Sequence, residues 1–224
     1  MKLAFQVFVG SVVGLVSFGV ALFVPAGTFD YWQAWVFLAV FAVATGGPNV
    51  YLAVTNPAAL QRRMNAGPIA ETRPAQRIVI CAVIVSAYAL PVISALDHRF
   101  GWSSVPLAVV VLGDVMVAAG LLVAELVVIQ NGYASANITV EKDQPLVSTG
   151  LYGLVRHPMY LGALIMMLGT PLALDSLWGL LVVIPALAVF LVRISDEERL
   201  LRQELDGYDD YANQVRYRLV PAVW

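Results

Sequence analysis

Apolar residues run along this chain in long stretches that few charged residues interrupt. A helix that spans a membrane needs about 20 mostly apolar residues, and four stretches in the first part of the chain reach that length. Two shorter stretches follow, separated by Asp175 and Ser176, so we expect a helical hairpin that crosses twice with a tight turn. The six stretches are 3–24, 31–54, 78–96, 105–129, 159–173 and 177–192.

The pattern predicts an all-α integral membrane protein with about six membrane-crossing helices, followed by a short cytoplasmic helix. Strands of an outer-membrane barrel alternate apolar and polar residues over about 10 positions, whereas these stretches are apolar on every side. We expect one membrane domain over 1–224, with four spans in 1–130 and the chemistry-bearing segment in 137–221. Gly46, Gly47 and Pro48 predict a kink or an early end in the second helix.

Composition supports a membrane protein and excludes an ordinary soluble domain. Hydrophobic residues make up 60% of the chain and charged residues 12%, against about 25% charged residues in soluble domains. The net charge of −2 offers no basic surface for nucleic acid. With two histidines and one cysteine, the chain cannot build a multi-histidine metal site, and we expect no metal.

The basic residues predict an orientation in the membrane. Loops on the cytoplasmic side carry an excess of Lys and Arg. If the N-terminus is cytoplasmic, 12 of the 13 basic residues fall on that side and Arg99 alone on the other. Loops 55–77 and 130–158, and everything after Arg193, are then cytoplasmic. The Ala-, Val- and Gly-rich composition is typical of bacteria, so we expect the bacterial inner membrane.

Two acidic residues lie in the fourth stretch. Asp114 and Glu125 are 11 residues apart, which is close to three helical turns and places them on one face. Ionisable residues within spans are costly and usually functional, so Glu125 is a candidate for contact with substrate. Alternatively, Glu125 marks the cytoplasmic boundary and Asp114 pairs with a polar group in the bundle.

The first chemically rich segment covers 144–162. His157 precedes Pro158, which disfavours helix at His157 and suits the first position of a new helix. The unpaired N–H groups at that helix start could bind an anionic group such as a carboxylate. Equally, this could be a loop that enters the membrane with Arg156 and His157 at the headgroups.

The second rich segment follows the last apolar stretch. Arg193 and Glu197 are four residues apart, as are Glu198 and Arg202, so each pair shares a helix face. Spacing alone favours a solvated face of ion pairs, each of which contributes only tenths of a kcal/mol.

Several motifs together resemble one membrane enzyme family. Arg156-His-Pro-Met-Tyr-Leu-Gly162, followed by a hydrophobic hairpin and then Glu197-Glu198, is similar to the signature of the isoprenylcysteine carboxyl methyltransferase family. Phospholipid N-methyltransferases are more distant relatives that share chiefly the paired glutamates. The lead-in Leu146-Val-Ser-Thr-Gly-Leu-Tyr152 and the tail Gly207-Tyr-Asp-Asp-Tyr211 extend the resemblance over about the last 85 residues.

The resemblance implies a methyltransferase that uses S-adenosyl-L-methionine (SAM) and acts on a lipophilic or prenylated acceptor that enters from the membrane. It places Arg193 toward the substrate as the catalytic residue and Asn137 as a further cofactor contact. Glu197 would bind the polar end of SAM. The residues that it assigns to cofactor binding are Gln144, Pro145, Leu146, Val147, Tyr152, His157, Pro158, Met159, Tyr160, Glu197 and Glu198.

Other functions stay open from sequence alone. The acceptor could be a prenylcysteine-like carboxylate, or a lipid or small thiol that is methylated on nitrogen or sulfur. Sterol-reductase-like proteins have a related Arg-His-Pro-x-Tyr-x-Gly segment and bind NADPH. A non-enzymatic membrane protein is the third alternative.

Overall fold

A computed structural model describes residues 2–64, 67–69, 71, 73–134, 137, 139–141 and 144–224. All regular secondary structure in these residues is helical, and four helices are long and apolar enough to cross a membrane. The chain is therefore an all-α integral membrane protein. Its helices are α1 (Lys2–Ala26), α2 (Trp32–Thr55), α3 (Pro57–Met64), α4 (Pro74–Phe100), α5 (Leu107–Gln130), α6 (Pro158–Ala173), α7 (Leu180–Glu204) and α8 (Tyr208–Gln214).

The helices follow the predicted stretches, with three differences. The expected early end of α2 is wrong, because the helix continues past Pro48 to Thr55. A proline inside a helix removes one backbone hydrogen bond. Ending the helix within the membrane would leave several backbone groups without a hydrogen-bond partner, which costs more. The short helix α3 was not predicted. Helix α7 continues 12 residues past the end of its apolar stretch, so Arg193, Glu197 and Glu198 share one rigid helix.

Glycines bring α5 and α6 into close contact. A Cβ atom on Gly120 would lie 2.4 Å from the carbonyl oxygen of Gly162, and one on Gly169 would lie 2.7 Å from the carbonyl oxygen of Gly113. Each helix thus presents two glycines seven residues apart to the other, a spacing of about two turns. Small residues let membrane helices approach closely, and this contact fixes the position at which α6 begins.

The hairpin between α6 and α7 turns at Asp175 and Ser176, as the sequence predicts. The backbone N–H of Val105 donates to Asp175 Oδ1 (2.6 Å), and the Ser176 hydroxyl donates to Asp97 Oδ2 (2.6 Å). Exposed tryptophans surround this end of the helix bundle, as in the aromatic belt at a membrane interface. These are Trp32, Trp35, Trp102 and Trp178.

Candidate functional site

A cavity of about 410 Å³ lies at the opposite end of the bundle from the tryptophans. Helices α4, α6, α7 and α8 contribute to its wall, together with the segments that precede α6. The two chemically rich segments therefore meet in space, as expected from their positions on either side of the hairpin. Three groups of side chains divide the lining into a polar end, an aromatic end and an apolar wall.

The polar end is organised around the hydroxyl of Tyr160. This hydroxyl donates to Glu197 Oε2 (2.7 Å) and accepts from Arg193 Nε (2.8 Å). A second nitrogen of Arg193, Nη1, donates to Gln76 Oε1 on α4 (3.1 Å). The Arg193 side chain is buried, whereas that of Glu197 is 25% exposed. A guanidinium and a carboxylate are thus held at fixed positions beside the same tyrosine.

Local structure explains why these residues converge. Pro158 occupies the first turn of α6, and His157 precedes it with an extended φ of −124°, as the His-Pro sequence predicts. Tyr160 then projects from that first turn toward α7. On α7 the spacing of four residues between Arg193 and Glu197 places both side chains on the face that meets α6.

Glu198, the next residue on α7, contacts a different region. Its Oε1 accepts from Arg156 Nε (2.7 Å) and lies 3.4 Å from His157 Nε2, and its Oε2 accepts from Arg218 Nε (2.9 Å). Burial alone would raise the pKa of Glu198, but hydrogen bonds from His157 and Arg156 outweigh that effect and lower the pKa to about 2. Glu198 is therefore ionised at neutral pH and occupied by partners within the protein.

The C-terminal tail is bound to the same turn. The backbone N–H groups of Arg156 and His157 donate to the carbonyls of Tyr217 and Arg218, each at 2.9 Å. Arg156 Nη1 also donates to the carbonyl of Val215 (2.9 Å). These contacts hold the tail and α8 against the start of α6, and α8 thereby closes one side of the cavity.

Tyrosines form the aromatic end. Tyr208 and Tyr211 on α8 pack in a T-shaped pair with ring centroids 5.7 Å apart, and the Tyr211 hydroxyl donates to the carbonyl of Tyr152 (2.8 Å). The Tyr152 hydroxyl accepts from Asn131 Nδ2 (3.2 Å). Burial raises the pKa of Tyr152 to about 12 and raises those of Tyr208 and Tyr211 above their usual range. All three hydroxyls therefore stay protonated at neutral pH.

The apolar wall lies deeper in the bundle. It consists of Ile80, Val83 and Ile84 of α4, Ala163 of α6 and Phe190 of α7. The Ile84 side chain is also 41% exposed. The cavity thus joins a polar end to an apolar region at the depth of the membrane-crossing helices.

Ten of the eleven residues predicted to bind cofactor line this cavity, and so do Arg193 and Asn137. The structure shows that these residues lie around one cavity, whereas their binding of SAM stays a prediction. Glu198 is not on the lining, because it turns toward Arg156 and the tail. The ten are Gln144, Pro145, Leu146, Val147, Tyr152, His157, Pro158, Met159, Tyr160 and Glu197.

Other predicted residues lie elsewhere. Glu125 is buried and forms an ion pair with Arg63 of α3. It is not on the cavity lining, and its candidate role toward substrate stays untested. Asp114 lies outside the lining as well. Arg202 pairs with Asp209 at the start of α8 rather than with Glu198, because Arg156 and Arg218 already occupy that carboxylate.

Sequence reasoning missed several lining residues. Ile80, Val83 and Ile84 carry no local signal beyond being apolar, and only the packing of α4 against α6 and α7 brings them to the cavity. Tyr208 and Tyr211 had a signal, since both belong to the quoted motif 207–211, but no binding role was assigned to them.

Comparison with known proteins finds two similarities, one to a protein family and one to a single protein. Residues 108–206, fewer than half of the chain, match the model of the phospholipid methyltransferase (PEMT) family. Over 82 residues the chain is 35% identical to the Delta(14)-sterol reductase TM7SF2 of Mus musculus, a match that covers 35% of this chain and 20% of the reductase. The chain thus spans about a fifth of that reductase. The region from α5 to α7 is therefore similar to phospholipid methyltransferases, and a shorter stretch of the chain is similar to a sterol reductase.

Proposed function

We propose that this protein is an integral membrane methyltransferase that uses SAM to methylate the carboxylate of a lipophilic, prenylcysteine-like acceptor. One observation carries the proposal. The carboxylate of Glu197 and the guanidinium of Arg193 meet at the Tyr160 hydroxyl on the wall of one cavity. Both α6 and the part of α7 that holds these two residues lie within the region similar to phospholipid methyltransferases.

The lining suits each part of SAM. Glu197 is partly exposed to the cavity and can pair with the cationic amino group. The start of α6 lines the cavity at Pro158, Met159 and Tyr160, and first-turn N–H groups favour a carboxylate. Tyr152, Tyr208 and Tyr211 offer aromatic faces for adenine.

The acceptor carboxylate fits the cation and the apolar wall. SAM supplies an electrophilic methyl group on a sulfonium. Methyl transfer forms a carbon–oxygen bond and breaks the carbon–sulfur bond, whose electron pair leaves with S-adenosylhomocysteine. A carboxylate has no proton to lose, so no base is required, and Arg193 can hold and orient it. An amine or thiol acceptor would in addition need a group to take its proton.

The acceptor's apolar tail has a place beside the same cation. Phe190 lies one helical turn before Arg193 on α7, and Ile80 and Val83 of α4 line the same cavity. A lipid could enter from the bilayer past Ile84 while its headgroup reaches Arg193. With the orientation expected from the basic residues, the cavity opens on the cytoplasmic side of a bacterial inner membrane.

A membrane reductase is the second candidate, because the chain is similar to a sterol reductase over 82 residues. NADPH carries several phosphate charges, which cationic side chains would have to bind. Of the lining arginines, Arg156 is committed to Glu198 and to backbone carbonyls. The partly exposed carboxylate of Glu197 favours a cationic ligand and therefore SAM.

Calorimetric titration of the detergent-purified protein with SAM and, in parallel, with NADPH tests the proposal. We expect saturable SAM binding that Glu197→Gln weakens at least tenfold, whereas Glu204→Gln, on an exposed position of the same helix, leaves it unchanged. NADPH binding without SAM binding would establish the reductase instead. If the folded protein binds neither SAM nor NADPH, both the methyltransferase and the reductase proposals are wrong.

A further inference from the structure

One wall of the cavity has no regular secondary structure. The described residues between 131 and 141 belong to no helix or strand, so their position depends on contacts with neighbouring elements rather than on helical hydrogen bonds. We refer to these residues as the 131–141 wall. Its members that line the cavity are Asn131, Tyr133, Ala134, Asn137 and Thr139.

Arg62 of α3 contacts the 131–141 wall at both of its ends. At the start, Arg62 Nη1 donates to the carbonyl of Gly132 (3.3 Å), and the guanidinium lies over the Tyr133 ring, 4.5 Å from its centroid. At the end, Arg62 Nε and Nη2 donate to the two carboxylate oxygens of Glu141 at 2.7 and 3.2 Å. The planar cation thus connects two points of the chain that are nine residues apart.

The helix that carries Arg62 is itself attached to the bundle. Ala59 and Leu60 of α3 are buried in one apolar cluster with residues of α2 and α5. Arg63 forms an ion pair with buried Glu125 of α5. Two adjacent arginines therefore have different partners, since Arg63 attaches α3 to the bundle and Arg62 attaches the 131–141 wall to α3.

Further hydrogen bonds connect the two ends of the wall to other lining residues. The backbone N–H of Glu141 donates to Gln144 Oε1, and the backbone N–H of Gln144 donates to the carbonyl of Glu141, both at 3.1 Å. At the other end, Asn131 Nδ2 donates to the Tyr152 hydroxyl (3.2 Å). Gln144 and Tyr152 both line the cavity, so a displacement of either end of the wall would change the lining.

Arg62 does not line the cavity itself. Its ion pair with Glu141 is partly exposed, with 31% of the Arg62 side chain and 48% of the Glu141 side chain accessible to solvent. Exposed ion pairs contribute little to global stability. A substitution of Arg62 should therefore release the wall while the helix bundle stays folded.

We propose that Arg62 is a positioning residue for cofactor binding, which holds the 131–141 wall in place at the cavity. The inference rests on the proposed function, and it assigns part of the cofactor affinity to a residue off the cavity lining. A ligand that binds only when the wall is in place has an apparent affinity reduced by the fraction of molecules in that state. Each variant that releases the wall should therefore weaken cofactor binding in proportion.

Two measurements on the full chain in detergent test this proposal. Lysine occurs only at positions 2 and 142, so a lysine-specific protease has one internal site, directly after the residue that follows Glu141. The first measurement is the initial rate of this internal cleavage, which needs no ligand. The second is the calorimetric affinity for S-adenosylhomocysteine.

Arg62→Glu places a like charge against Glu141. We expect about fivefold weaker binding of S-adenosylhomocysteine and cleavage that is at least about fivefold faster, because both follow the population of the released wall. S-adenosylhomocysteine should slow the cleavage of the wild-type protein. Arg99→Glu is the matched control, since Arg99 is an exposed arginine over the Phe100 ring at the far end, and it should change neither quantity.

Two further variants separate positioning from a structural role. Arg62→Glu combined with Glu141→Arg restores the ion pair in reverse and should recover most of the lost affinity. Arg62→Gln covers the case in which Arg62→Glu does not fold, and it should shift both measurements in the same direction by about twofold. The melting temperature of each folded variant should stay within a few degrees of wild type, because the pair is exposed.

Two results would overturn the inference. One is an unchanged cleavage rate in the folded Arg62 variants, and the other is faster cleavage with unchanged affinity for S-adenosylhomocysteine. Failure of the proposed function has a different signature, which is the absence of binding to S-adenosylhomocysteine by folded wild-type protein. The cleavage rates would then still show whether Arg62 holds the wall, so the two failures are distinguishable.

Discussion

Glu197 and Glu198 are neighbours on α7, yet they face two different regions of the molecule. Glu197 accepts from the Tyr160 hydroxyl at the wall of the cavity and is 25% exposed. Glu198 is 4% exposed and binds Arg156 and Arg218, with His157 at 3.4 Å. Successive residues of a helix point about 100° apart, which is enough to turn one carboxylate toward the cavity and the other toward the tail.

The difference shows that one helix carries a buried, ion-paired carboxylate beside one that lines the cavity. A carboxylate offers about four acceptor positions, and at Glu198 neighbouring side chains use them to attach the tail to the start of α6. Glu197 lies on the cavity and keeps acceptor capacity for a ligand. Removal of Glu198 should therefore affect stability first, and removal of Glu197 should affect binding first.

Glu198→Gln should produce the largest effect. The substitution leaves Arg156 buried without its carboxylate, and loss of one partner of a buried ion pair typically costs about 3–5 kcal/mol. We expect a large loss of stability in SDS unfolding titrations from mixed micelles. Stability close to wild type would mean that other contacts hold the tail in place.

Acid should reproduce part of this loss reversibly. The pKa of Glu198 is lowered from an ordinary 4.5 to about 2, so its contribution to stability is complete above about pH 4.5 and is lost as the pH falls toward 2. We expect the melting temperature of the wild-type protein to fall across that window more steeply than that of Glu198→Gln. Parallel pH profiles would show that Glu198 does not carry the dependence.

Glu197→Gln should reverse the pattern. Glutamine can still accept from Tyr160 but has no charge for the SAM amino group, so we expect at least tenfold weaker SAM binding and a melting temperature within a few degrees of wild type. Calorimetry and thermal melting on the same preparations measure both quantities. If stability falls as far as in Glu198→Gln, the two glutamates share a structural role and the contrast is lost.

Hydropathy predicted most of the fold, because water-free surroundings leave helices as the way to satisfy the backbone. The hairpin turn at Asp175 and the helix start at Pro158 followed from local residues alone. Helix α3 was missed because its eight residues include Gln61, Arg62 and Arg63, which resemble an ordinary polar loop. The early end of α2 was predicted wrongly because local signals at Pro48 ignore what surrounds the helix.

The site was predictable where its residues belong to short motifs and unpredictable where they do not. His157, Tyr160 and Glu197 were found through motif spacing. Gln76 reaches Arg193 across 117 residues of sequence, and nothing near it in the chain indicates that contact. Glu198 lies outside the cavity lining, and the sequence could not indicate this because a motif does not state which way each of two adjacent glutamates points.

The smallest effect is expected for a substitution of Arg218, the residue of the tail that forms an ion pair with Glu198. Arg218 is 35% exposed, so solvent screens its ion pair, and exposed pairs contribute about 1 kcal/mol or less. Arg218→Gln should therefore lower stability far less than Glu198→Gln and leave SAM affinity within twofold of wild type. SDS titration and calorimetry on the two variants side by side make the comparison.

If Arg218→Gln were as damaging as Glu198→Gln, the arginine on the tail rather than buried Arg156 would be the main partner of Glu198. Closure of the cavity by α8 would then depend on the last residues of the chain, and SAM affinity should fall together with stability.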